Sequence, residues 1–191
     1  MSAALLVRVF LWGWFAAAVG AGHSLALRHV PPAVLGAAGV AIAAFLWMLS
    51  RRIRPLRRWC DDLDVRILVV LQSLRVSGLY FLLSDEGALL PRGLALLAGA
   101  GDLVVAVMAL PVALAPMADA ARTRAIRIWS VVSLISLLGA AGMLFRLGLS
   151  EPVWLTPFAV LPFSLYPTFL LPLTLAAQAL LLERMLRTDG D

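Results

Sequence analysis

The chain has 191 residues, of which 62% are hydrophobic and 14% charged, with a formal net charge of +5 and a mean hydropathy of +0.96. A chain this apolar cannot close around one water-soluble core, and it reads as a membrane protein. All 16 basic residues are Arg and Lys and Asn are absent, a composition that points to a GC-rich bacterial genome. The Arg residues lie beside apolar runs, where topology explains them and a nucleic-acid partner is not needed.

Six apolar runs are long enough to cross ~30 Å of hydrocarbon: about 5–27, 31–50, 66–84, 93–116, 127–148 and 158–182. Each is expected to be helical, because lipid offers no partner to an open backbone amide. The expected fold is all-α: a polytopic bundle forming one transmembrane domain over 1–191. The first run could instead be a signal peptide, with Arg8 as its charged region and small residues near Gly22. Its apolar character continues through HSLAL, which favours an uncleaved span. His23 and His29 follow, six residues apart, a spacing that puts two side chains on different sides of a helix and suits no metal pair. No metal site, cofactor or catalytic residue is expected.

The connection RRIRPLRRWCDDLDVR (51–66) is the one sizeable polar segment. Its basic half and Trp59 suit the depth of anionic headgroups. Asp61, Asp62 and Asp64 stand where the third helix should begin, and acids favour a helix N-terminus. Cys60, the lone cysteine, rules out an internal disulfide. Arg residues gather here, in the connection 117–127 (Arg122, Arg124, Arg127) and in the tail (Arg184, Arg187), whereas the alternate connections are poor in them. By the positive-inside rule both termini are cytoplasmic, and the expected location is a bacterial inner membrane.

The third run carries Arg75, nine residues beyond Arg66 and so ~13 Å into the span. The fourth, running back, carries Asp102, and the two lie equally far from the centre of their connection near 88–89. Equal offset in an antiparallel hairpin means equal depth, so an ion pair is expected. Steps of three and four from Asp102 meet Ala95, Ala98, Gly99, Val105, Ala106, Ala109 and Ala113, a stripe of mostly small residues that turns Asp102 towards neighbouring helices. Gln72 and Glu86 extend the polar face of Arg75. In the fifth run Ser130, Ser133, Ser136, Gly139 and Gly142 form a small polar stripe of the kind that glues helices.

Around the sixth run, prolines recur every five residues: Pro152, Pro157, Pro162, Pro167 and Pro172. Pro162, Pro167 and Pro172 would free the carbonyls of Phe158, Phe163 and Thr168, leaving the last helix kinked or broken, with Tyr166 and Thr168 at hand to donate hydrogen bonds.

The segments QSLRVSGLYFL, LLPRGLALLAGAGDL and YPTFLLPL, within 66–182, resemble an uncharacterised family of small bacterial multi-pass inner-membrane proteins. The resemblance implies that Arg75, Gly101, Asp102, Pro167 and Pro172 matter, and brings no activity or cofactor.

Two functional readings stay open. One is a small-solute or proton-coupled transporter, or a ligand-binding membrane protein, with Arg75 meeting a small polar or anionic ligand. The other is a non-catalytic membrane subunit that docks a membrane-protein partner and whose charge pair is structural. An intramembrane enzyme is least supported, since no motif surrounds His23. The lipid bilayer is an expected partner in every case, and nucleic acid in none.

Overall fold

The computed structural model of the protein describes residues 3–85 and 90–188, and among them every regular element is helical. In chain order these are α1 (Ala3–His23), a 3-10 turn (Ala26–His29), α2 (Pro32–Arg52), α3 (Arg54–Asp62) and α4 (Val65–Leu71). A 3-10 segment (Gln72–Gly78) then leads into α5 (Leu79–Asp85). After the undescribed 86–89 come α6 (Arg92–Leu94), a π-helical turn (Ala95–Ala100), α7 (Gly101–Leu114) and α8 (Asp119–Ser150). A 3-10 segment (Pro152–Ala159), a π-helical turn (Tyr166–Leu170) and α9 (Leu171–Thr188) complete the chain.

Six helical stretches are long and apolar enough to cross a membrane: 4–23, 33–52, 65–83, 92–114, 119–150 and 166–187. The first ends earlier than its apolar run because Leu25 adopts a left-handed backbone (φ 59°) and Pro31 and Pro32 follow. The last begins at Tyr166, because the prolines upstream cannot supply α-helical donors and the chain settles into 3-10 and turn geometry with a cis Leu161–Pro162 bond.

The chain divides into two compact units, one made of Met1–Leu63 and Glu151–Ala176, the other of Asp64–Ser150 and Ala177–Asp191. In the first unit, α1 and α2 pack on the proline-rich segment. A Cβ at Gly39 would stand 2.7 Å from the Pro167 carbonyl oxygen, and one at Gly22 would strike Ser164 Oγ and Leu161. Only a bare Cα admits such closeness. Trp14 and Phe15 of α1 set their rings edge-on against Phe169, with centroids 4.9 and 5.2 Å away.

Local chemistry explains the connection between α2 and α4. Ile53 ends α2 in an extended conformation, and Pro55 sits in the first turn of α3. Asp61 and Asp62 fall at the end of α3 rather than at the start of the third long helix. Asp61 is held there by Arg51 at 2.9 Å, which offsets its unfavourable place near a helix C-terminus. Asp64 alone caps the third helix, its Oδ1 accepting from the Arg66 amide at 2.8 Å.

The second unit packs α4, α5 and the 3-10 segment between them against the helix carrying Asp102, with α8 alongside. Trp129 of α8 donates its indole N–H to the Val105 carbonyl of α7 at 3.1 Å. The small-residue stripe around Asp102 is fully inside, with Ala95, Ala109 and Ala113 all 0% exposed.

Candidate functional site

The site is a buried polar cluster in the second unit, and its geometry begins with a change of helix type. A 3-10 helix has three residues per turn, so residues three apart eclipse. Within Gln72–Gly78 the buried residues are Gln72, Arg75 and Gly78, which is that single face. Gln72 and Arg75 therefore project one above the other, and Gly78 brings the backbone close. A Cβ at Gly78 would lie 2.7 Å from Asp102 Cβ and 3.0 Å from the Gly99 carbonyl oxygen.

That approach carries Arg75 onto Asp102. Arg75 Nε donates to Asp102 Oδ1 at 2.9 Å, and Nη2 donates to the same oxygen. The side chains are 2% and 1% exposed. Arg75 Nη1 donates to Ser133 Oγ at 2.8 Å and to the Ser133 carbonyl at 3.4 Å, and Nη2 donates to Ser136 Oγ at 3.0 Å. A guanidinium has five N–H donors, and these five contacts employ its whole fork.

The cluster continues beyond the pair. Ser133 Oγ donates to Gln178 Oε1 at 3.2 Å, Gln72 Nε2 donates to the same oxygen at 3.4 Å, and Gln178 Nε2 donates to the Ser130 carbonyl at 3.2 Å. Four helical stretches thus meet through polar side chains in one buried layer. Gln178 is a lone amide within LAAQALLL, and the serine partners of Arg75 come from a stripe that the sequence marks only as helix glue. Their polarity was the available signal; its target was not.

The other expected site residues are described by themselves. Glu86 lies outside the described residues. Tyr166 and Thr168 belong to the first unit, as do Pro162, Pro167 and Pro172. Thr168 Oγ1 donates to the Ser164 carbonyl at 2.6 Å. Of the carbonyls expected to be freed, that of Phe163 accepts the Tyr166 amide at 3.0 Å, so it is not open. That of Thr168 accepts the Trp14 indole N–H at 3.0 Å, a partner the sequence does not reveal. Among the described residues no group of His, Cys, Asp and Glu could hold a metal ion.

Polar groups inside and large apolar side chains outside invert the pattern of a water-soluble protein. Val107 and Leu114 of α7 are 58% and 66% exposed, and Ile135 and Phe145 of α8 are 65% and 70% exposed, while Gln72 and Ser133 are 0% exposed. Together with the six long apolar helices, this defines a helical bundle of membrane character. The chain belongs to the family described as "Domain of unknown function (DUF8737)", which it matches over residues 31–186. No curated protein and no solved structure matches it.

Proposed function

We propose that the chain is a non-catalytic integral membrane subunit of a bacterial inner membrane, crossing six times with both termini cytoplasmic. Its Arg75–Asp102 pair is a structural clasp, and its apolar exterior meets lipid and a membrane-protein partner. The observation that carries this reading is the complete use of Arg75: five N–H donors, five acceptor contacts and a side chain 2% exposed. A guanidinium awaiting a ligand would keep part of its fork open. The placement of Arg51 to Arg58, Arg122 to Arg127 and Arg184 to Arg187 on alternate connections supports the orientation.

In a bilayer, apolar contact hardly distinguishes a neighbouring helix from lipid, so polar contacts and close packing must set helix register. A buried ion pair satisfied by serines and an amide does this, since any slip of the helices would strand a charge in hydrocarbon.

A second reading, a transporter held in a closed state, is favoured by one observation: the long helices carrying Arg75 and Asp102 both leave α geometry beside those residues, and π turns are frequent at functional sites. One experiment separates the two. The double substitution Arg75→Met with Asp102→Leu replaces the pair by apolar groups of similar size. The clasp reading expects this protein to fold, to enter the same native-membrane complex as the wild type on blue-native gels, and to leave a pH gradient across proteoliposomes as stable as in protein-free vesicles. Gradient dissipation by the wild type that this variant lacks would support transport instead.

A further inference from the structure

We propose that α3 is a docking surface for anionic phospholipid headgroups, held through Arg52, Arg54 and Arg58. Three observations on α3 and its flanks converge on it. The first is placement: α3 begins two residues after α2 ends, and the next long helix begins three residues after α3 ends. On the six-crossing reading proposed above, a nine-residue helix tied so closely to two apolar helices has no slack with which to leave the headgroup layer.

The second is facing. At 100° per residue, Arg54, Arg57, Arg58, Asp61 and Asp62 occupy one arc, and Leu56, Trp59 and Cys60 the other. The apolar arc is turned inward, with Cys60 5% exposed and Leu56 and Trp59 half-buried, so it is not available to insert into lipid. What α3 offers outward is three guanidiniums and the carboxylates of Asp61 and Asp62. The surface should therefore respond to headgroup charge rather than to acyl-chain packing.

The third is charge balance. Asp61 is engaged by Arg51 at 2.9 Å and lies 3.7 Å from Arg57 Nε. Arg52, Arg54 and Arg58 are exposed, and none makes a hydrogen bond or ion pair among the described residues. Asp62 is the one other carboxylate on α3, so positive charge stays in excess. Arginine forks suit the paired oxygens of a phosphodiester, and each basic residue near an anionic surface strengthens binding by about fivefold.

The test is native mass spectrometry of the full chain in detergent, titrated with phosphatidylglycerol or phosphatidylcholine of equal chain length. The expected result is a preference for phosphatidylglycerol that falls by about a hundredfold in the variant R52Q/R54Q/R58Q, in line with three lost charges. Asp62→Asn, which deepens the positive excess, should strengthen the preference and needs no loss of function to be read. A triple variant that keeps the wild-type preference, or displacement of the lipid by millimolar inorganic phosphate, would overturn the proposal; the latter would mark a site for phosphate in solution. The membrane-crossing premise fails separately, through release of the chain from native membranes by alkaline carbonate, and that release would overturn both.

Discussion

Ser133 joins Arg75 to Gln178: its Oγ accepts from Arg75 Nη1 at 2.8 Å and donates to Gln178 Oε1 at 3.2 Å. A hydroxyl has one proton to give, and here it is committed, so Ser133 sits at the centre of the cluster while Ser130 and Ser136 stand at its edges.

Substituting these serines should separate their roles. Ser133→Ala leaves a buried guanidinium and an amide short of partners, and should destabilise the protein by about 1–3 kcal/mol in detergent unfolding. Ser130 Oγ is buried and makes no hydrogen bond among the described residues, and its carbonyl survives substitution. Ser130→Ala should therefore be neutral or stabilising. Equal losses at both positions would contradict the cluster as described.

Gly78 is the second point of sensitivity. Its missing Cβ would meet Asp102 Cβ at 2.7 Å and backbone at 3.0 Å, neither of which can swing aside. Gly78→Ala should cost about 1–3 kcal/mol through overpacking. Gly13 and Gly36 have nothing within 4 Å of the same added atom. Alanine there should gain about 0.5–1 kcal/mol of helix propensity, and thermal unfolding of the three variants side by side reads the contrast.

Trp14 compensates for a proline in the first unit. Pro172 has no N–H for the Thr168 carbonyl, and the Trp14 indole supplies one at 3.0 Å. Trp14→Phe keeps an aromatic ring against Phe169 but removes the donor, a loss of about 1–3 kcal/mol. In a Pro172→Ala background, which returns a backbone N–H, the same substitution should cost clearly less. An unchanged cost would show that the indole acts by packing alone.

Much of this organisation is legible in the sequence alone, and the reasons differ from one feature to the next. Arg75 and Asp102 can be set at one level because a hairpin equates distance from its turn with depth, and the small residues around Asp102 indicate which way it faces. The 3-10 segment cannot be read, because QSLRVSG carries no local signal for three residues per turn; close packing at Gly78 accompanies it. Ser133 and Gln178 were visible only as polar residues on apolar helices, and which helix they meet depends on packing. The Thr168 carbonyl illustrates the same boundary: Pro172 announces that it needs a donor, but nothing nearby in sequence names Trp14, 154 residues away. Asp61 shows the reverse error, since a run of acids before an apolar run looks like a cap, whereas Arg51 draws it back to α3.

The most direct measurement is a double-mutant cycle on Arg75 and Asp102, read by reversible unfolding of the purified protein in mixed micelles. Arg75→Ala and Asp102→Ala should each cost about 3–5 kcal/mol, because each strands the opposite charge away from water. The double variant strands neither, so its cost should fall short of the sum by about 1–3 kcal/mol. Costs that add without a coupling term would contradict the clasp.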